Sequence, residues 1–492
     1  MNILMIYPQY PVTFWSFKYA LKYVSKKAAF PPLGLLTVAA MLPEDYSVRL
    51  VDLNVRKLRD EDLQWADYVM ISAMLAQRES VSEVLPQCLL MGKKVIAGGP
   101  LFSSSLEEYQ PLIDHLIIGE AEITLPLFLK DLKDGNPGKL YRSSEFPPLT
   151  LTPLPRWDLI DIRNYAALMI QYSRGCPYDC EFCDITAMFG YKPRLKNADQ
   201  FIDELQVLYD SGWRGSIFIV DDNFIGNKVA IKRLLPRVIG WMENHNYPFE
   251  FFTQASINIA DDDELIRLMI QTGFNQVFIG IETPNEASLK ECSKNQNCQR
   301  DMTAAIRKLQ ASGFEVMGGY IVGFDSDDES IFAEQIRFIQ NSGVVTAMVG
   351  LLNALPNTRL WQRLKKENRL ELVATGDNTD GSLNFIPRMD RADLIEGYRK
   401  IVKTIYSPGA YYQRICQFLE YYDPFMGRKM DTARIGALLK SIFYLGIWGN
   451  GITQWYYWKL FIKSFLFYRK SFAEAITLMI YGHHFRKVAK KI

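Results

Sequence analysis

ALMIQYSRGCPYDCEFCD, residues Ala167 to Asp184, joins a short apolar run to three cysteines, Cys176, Cys180 and Cys183, with three and then two residues between them. The run ALMIQYS has the length and composition of a buried strand, so the cysteines fall on the loop that leaves it. The chain has only seven cysteines, and no others lie close together in sequence. A structural zinc site takes four Cys or His ligands, whereas the nearest histidines, His115 and His245, form no second ligand pair. Cysteines kept only for packing would not need Gly175 and Pro177 on either side of the first. A [4Fe-4S] cluster held by three thiolates, with its fourth iron open to a small molecule, suits the spacing better than either. Cluster irons are held by thiolates, and the loop must turn around a cube.

Around this loop, residues 165–365 repeat strand and helix six times, with candidate strands ALMIQYS, GSIFIVDD, FEFFTQAS, QVFIGIET, FEVMGGYIVG and TAMVGLLNAL. The repeat predicts an α/β (β/α)6 partial TIM barrel whose functional groups stand at the C-terminal strand ends. Residues 1–145 also alternate apolar runs with helical stretches, and the runs end in Gly, Pro or Asp. This predicts a flavodoxin- or Rossmann-like domain with a buried parallel sheet. Residues 146–164, containing FPPLTLTPLPRWD, read as an extended linker. Residues 366–492 lose the alternation and read as a helical extension, aromatic and increasingly basic.

A chain of 492 residues is too long for one ordinary core. Its 56 basic and 55 acidic residues give a net charge of +1, without the excess that nucleic-acid binding calls for. The opening MNILMIYP lacks a secretory pattern, and an odd cysteine count suggests no disulfide framework, so a cytoplasmic setting is expected. Charge is uneven, however. From Thr432 onward ten Lys or Arg face a single acid, Glu474, and the uncharged stretch Ser441–Trp458 contains Asn450 and Gln454. That composition suits an interfacial helix at anionic lipid or a helical cap on the barrel with a solvated basic face.

CxxxCxxC on the loop after the first barrel strand resembles the signature of the radical SAM superfamily. The resemblance implies that Cys176, Cys180 and Cys183 hold a [4Fe-4S] cluster. Its open iron would bind S-adenosylmethionine, whose reductive cleavage yields methionine and a 5'-deoxyadenosyl radical. An external flavodoxin- or ferredoxin-type electron donor is implied as well. Carried over by strand, Phe182 flanks the adenine, and Asp221 and Asp222 in FIVDDNF meet the methionine ammonium, unless they cap the next helix. Gln254 and Ser256 reach the ribose or carboxylate. Glu282 makes a polar contact with Gly280 allowing close approach, and Ile321 and Val322 line the adenine.

FPPLGLLTVAAML, VIAGGP and IIGEAE, ahead of that barrel, resemble the cobalamin-binding domain that precedes many radical SAM cores. The implied contacts are Gly98, Gly99, Pro100, Gly119 and Glu120 at the strand ends, with Met74 or Gln77 toward the lower corrin face. The D-x-H-x-x-G cobalt-ligand motif is missing, because Asp114 and His115 are adjacent. A cobalt without a histidine lower ligand is therefore expected. The tail resembles the extension of a hopanoid-methylase-like branch. Three functions follow: a cobalamin-dependent methyltransferase acting on an unactivated carbon of a small-molecule or lipid substrate, a radical SAM oxidoreductase, cyclase or lyase, and a non-enzymatic iron-sulfur protein.

Overall fold

The computed structural model describes residues 1–372, 374–377, 379–425 and 432–492. Strands β1 (Asn2–Tyr7), β2 (Ser47–Asp52), β3 (Tyr68–Ser72), β4 (Lys94–Gly98), β5 (His115–Ile118) and β6 (Leu140–Arg142) form one sheet in the order β2-β1-β3-β4-β5-β6. Every pairing in it is parallel. Apolar runs such as NILMIY are buried because helices cover both faces of such a sheet. β6 is short, with only its middle residue Tyr141 buried, and gives no apolar run to read.

The barrel sheet runs β14-β13-β12-β11-β10-β7. Its strands are β7 (Leu168–Ile170), β10 (Ser216–Ile219), β11 (Glu250–Gln254), β12 (Phe274–Glu282), β13 (Glu315–Val322) and β14 (Ala347–Leu351), again all parallel. Sequential order with β7 and β14 as unpaired edges is a six-stranded partial barrel. Between β7 and β10, the two-residue strands β8 (Ser173–Arg174) and β9 (Arg194–Leu195) pair antiparallel and clasp the cysteine loop at its base.

The connector departs from the extended linker expected of its prolines. It folds into three short turns, Leu149–Leu151, Trp157–Leu159 and Ile162–Asn164, and buries Leu149 and Trp157. Apolar side chains between the prolines give it places to anchor. It leads to Tyr165, which bridges to Ala28 beside β7 and whose hydroxyl donates to the buried Asp52 at 2.9 Å.

In the tail, helices Arg391–Ile405, Pro408–Tyr421 and Phe472–Ala489 pack with the barrel into one core that includes Tyr406, Tyr411 and Phe485. Phe472–Ala489 is thus a cap. His484 meets the Thr13 and Phe14 carbonyls at 3.1 Å, and Phe14 packs on Phe485. Helices Thr432–Ser441 and Gly451–Phe467 form an outer hairpin, joined by a π-helical turn at Ile442–Ile447. No described helix is long and apolar enough to cross a membrane.

Candidate active site

Two neighbouring aspartates after β10 set the path of the cysteine loop. Asp221 is wholly buried and accepts from Tyr172 N (2.8 Å), Ser173 N (2.7 Å) and Ser173 Oγ (2.5 Å). Asp222 accepts from Gly175 N at 2.9 Å. Burial pushes the Asp221 carboxyl up to about 7 and that of Asp222 up to about 6. Neither caps the next helix: Asn227 does, accepting from Ala230 N at 3.1 Å. Asp221 is consumed by these donors, whereas Asp222 keeps the greater free capacity. Gly175 has φ 98°, and a Cβ there would lie 3.0 Å from the carbonyls of Phe189 and Gly190, so only glycine lets the loop turn at this point.

On the loop, Cys180 is buried while Cys176 and Cys183 are half-buried. Burial raises all three thiols. Polar groups approach the sulfurs, with Asn223 Nδ2 4.0 Å from Cys176 and Gln296 Nε2 3.8 Å from Cys180. Glu181 is gripped by Arg363 at 2.7 and 3.1 Å, which fixes the loop between its second and third cysteines. Lys294 is half-buried beside the loop. Burial works against its charge, but Glu282 and Cys180 outweigh that and hold the ammonium above its ordinary range. Its Nζ bonds Glu282 at 2.6 Å, and Glu282 sits on a strand irregularity with φ 66°, a strained conformation for this residue type.

This donor set fits a cluster: three thiols on one clamped loop, with amide and ammonium groups beside the sulfurs. Among the described residues no three His, Cys, Asp or Glu converge as they would on a single ion. A cube asks for the opposite, one thiolate at each of three separate irons. Cys292, remote in sequence, is buried close enough to Cys180 to feel its charge, and its carbonyl accepts from Glu181 N at 2.9 Å.

Other expected contacts fall into two groups. Ser256 joins a polar chain at the mouth: Asn223 Nδ2 donates to Ser256 Oγ (3.3 Å), Ser256 Oγ to Asn258 Oδ1 (2.6 Å) and Asn258 Nδ2 to the Tyr178 hydroxyl (2.8 Å). Gln254 ends β11 half-buried, Ile321 is half-buried on β13, and Phe182 lies 6.2 Å from Phe324. Two residues change role. Val322 is fully buried and turned away from the mouth, since successive strand residues face opposite sides. Gly280 makes room for the protein itself, as a Cβ there would stand 2.3 Å from Glu282 Oε1 and 2.8 Å from Lys294 Nζ. Asn223, Asn258, Tyr178, Lys294 and Gln296 escape a reading by strand ends, because loops and long-range pairing bring them in.

On the facing domain, Met74, Gly98, Gly99, Pro100 and Gly119 gather at the C-terminal edge of β3, β4 and β5, with Met74 exposed. Gln77 does not reach out: it is fully buried, donating to the Pro8 carbonyl and accepting from Met74 N. Glu120 turns toward the barrel, pairing with Arg174, and with Arg194 at 2.5 and 2.9 Å. Glu122 also meets Arg174, at 3.2 Å. These acids couple the two domains through the β8–β9 clasp. None of the four histidines stands at this edge: His115 opens β5 at the other end, His245 stacks on Trp241, and His483 and His484 belong to the last helix. The residues suit a corrin whose lower face meets no imidazole, with Met74 as the exposed side chain.

Comparison with known proteins agrees with this arrangement. The chain matches the radical SAM superfamily over residues 170–339, a B12 binding domain over 24–129 and a domain of unknown function, DUF4070, over 358–492. It is 40% identical to an uncharacterized methyltransferase of Synechocystis sp., covering 99% of this chain and 91% of that one. It is 33% identical to the hopanoid C-2 methylase of Rhodopseudomonas palustris, covering 98% and 92%. Its fold matches that of OxsB, a cobalamin-dependent S-adenosylmethionine radical enzyme solved with aqua-cobalamin and S-adenosylmethionine bound. The TM-score is 0.63 at 16% identity, over 100% of this chain and 80% of the other. The chain therefore belongs to the cobalamin-dependent radical SAM methyltransferase family, in the hopanoid C-2 methylase-like branch, as an enzyme whose cofactors are a [4Fe-4S] cluster, S-adenosylmethionine and cobalamin.

Proposed function

We propose that the enzyme methylates an unactivated carbon of an apolar, polycyclic lipid such as a hopanoid. The observation that carries this reading is the wall of the barrel lumen. Phe30, Met169, Val220 and Phe278 remain half-buried over a layer of Ala167, Phe218, Phe252 and Met317. Trp15 lies 5.0 Å from Phe278 and Phe30 5.5 Å from Phe218, ring centre to ring centre, both pairs tilted. Such a wall contacts a hydrocarbon and keeps out water, which matters where a radical must meet only its target. The relative named as a hopanoid C-2 methylase supports the substrate class.

When bound, the cluster with S-adenosylmethionine supplies hydrogen abstraction and the corrin supplies the methyl group, which ionic transfer cannot place on a carbon without an acidic hydrogen. Cys176, Cys180 and Cys183 hold the cluster, and Lys294 offsets its negative charge. Asp222 accepts the methionine ammonium, Gln254 and Ser256 face the ribose and carboxylate, and Phe182 and Ile321 flank the adenine. Met74 lies toward the corrin, and reducing equivalents come from an external flavodoxin- or ferredoxin-type donor.

The test is anaerobic incubation of the loaded enzyme with a reductant, methyl-labelled S-adenosylmethionine and a detergent-dispersed hopanoid. Labelled hopanoid together with 5'-deoxyadenosine is expected. 5'-Deoxyadenosine formed in a hopanoid-dependent way without label transfer would point instead to oxidation, cyclisation or cleavage. The role of Asp222 is tested separately. Asp222→Asn should weaken S-adenosylmethionine binding by about 1.5–3 kcal/mol, roughly 10- to 150-fold, with iron content unchanged. Because burial pushes this carboxyl up to about 6, wild-type affinity should rise as pH climbs through that value and the acid ionises. The asparagine variant should lose that rise. Equal titrations of affinity for the two proteins would remove Asp222 from the site.

A further inference from the structure

The outer hairpin of the tail is built inside out. Helix Gly451–Phe467 turns Thr453, Tyr457, Leu460 and Ser464 inward, three of the four carrying hydroxyls. It turns Ile452, Trp455, Trp458, Ile462 and Phe465 outward, all exposed. Two of these hydroxyls are satisfied within the protein, with Tyr457 and Ser441 bonded at 2.7 Å and Ser464 donating to the Phe461 carbonyl at 3.2 Å. A helix that faces water carries its apolar stripe inward, so this one is patterned for an apolar medium outside. The same polarity continues on both sides of the connecting turn, where Leu439 is 62% and Trp448 74% exposed.

We propose that this hairpin docks the enzyme on an anionic phospholipid surface, lying at the depth of one leaflet. Residues 432–470 contain six Lys or Arg and no Asp or Glu. Three of the heads lie over aromatic rings, Lys459 4.6 Å from Trp455, Lys463 5.8 Å from Tyr468 and Arg469 5.9 Å from Phe465. Apolar stems beside Trp and Tyr with cationic heads are the composition that settles at lipid headgroups. With no helix able to span a bilayer among the described residues, the contact is interfacial. A second copy is the poorer occupant, because a symmetric contact would set Lys459, Lys463 and Arg469 against the same three cations.

The hairpin is tied to the wall of the lumen. Lys440 bonds Ser25 and the Lys22 carbonyl, and Lys22 lies 4.1 Å from the Tyr444 ring. The same segment carries Trp15 and Phe30. Docking would therefore bring the lumen mouth to the lipid surface. Only this last step rests on the methylation reading above.

Flotation of the full-length loaded enzyme with vesicles tests the docking. Wild type should float with phosphatidylglycerol–phosphatidylcholine vesicles at low salt, and by roughly ten-fold less at high salt or with phosphatidylcholine alone. I452S/W455S/F465S should float at least about ten-fold less than wild type, with unchanged iron content. If that variant loses iron, K463Q/K470Q replaces it, with the same loss of flotation expected. Wild type that stays down with both vesicle types, or variants that float as it does, would overturn the proposal. So would a wild-type dimer in sedimentation that the triple variant lacks, because the face would then belong to a second copy. Methylation of detergent-dispersed hopanoid is read separately, and its failure leaves the flotation result standing.

Discussion

Replacing any one of Cys176, Cys180 or Cys183 with alanine is expected to reduce iron from about four per chain to near zero and to abolish S-adenosylmethionine cleavage. The three thiols share one short loop whose path is fixed at both ends. Asp221 holds Tyr172 and Ser173, and the β8–β9 pairing holds Arg174 against Arg194. A clamped loop cannot slide another residue into the vacant position. Cys292 provides the sharp control. It lies beside Cys180 but is buried, with its thiol pushed up by burial and directed at the Leu289 carbonyl at 3.6 Å. Cys292→Ala should keep its iron, as should changes at Cys88, Cys298 and Cys416. Iron analysis and the absorbance of anaerobically reconstituted protein read the result. A full cluster in any of the three alanine variants would overturn the assignment.

The second large effect is expected at Glu120, which is not a cysteine neighbour in sequence. Its single carboxylate serves two guanidiniums, Arg174 and Arg194, one from each strand of the clasp, and all three side chains are largely buried. Removing one member of a buried ionic group costs about 3–5 kcal/mol, and here it leaves Arg194 with the Pro147 and Phe189 carbonyls while Arg174 keeps Glu122. Glu120→Ala should therefore lower the denaturant midpoint and loosen the cluster loop, so that reconstituted iron is lost faster to a chelator. Glu122→Ala should cost less, because Arg174 keeps Glu120 while Arg194 is untouched. A Glu120→Ala protein with wild-type midpoint and iron retention would show that the two domains are held together elsewhere.

Both sheets were legible because parallel strands buried on two faces leave apolar runs with clear ends, and the cysteine spacing named its own chemistry. Asp221 and Asp222 were legible as a pair but not as individuals. They stand side by side, and only the fold shows that Asp221 is consumed by three donors of the loop while Asp222 takes one, from Gly175. Lys294, Asn223 and Gln296 lie on loops and a single 3-10 turn, and no periodicity marks such residues as neighbours of the cysteine loop. Glu120 reads locally as the end of a strand. Its partners lie 54 and 74 positions later, a distance over which sequence carries no sign of pairing. In the tail, composition showed aromatics and charges, but the apolar and hydroxyl residues of helix Gly451–Phe467 alternate so closely that only packing reveals which face is hidden.

The contact of His484 with Thr13 spans 471 positions. The segment around Thr13 cannot complete its packing until helix Phe472–Ala489 has been made. Trp15 and the rest of that early segment cover the lumen, and Phe485 is the surface on which Phe14 comes to rest. Both sheets can form before then, since their pairings close over shorter spans. The roof over the lumen is therefore the part of the fold that closes over the longest span, and it is expected to form after both sheets.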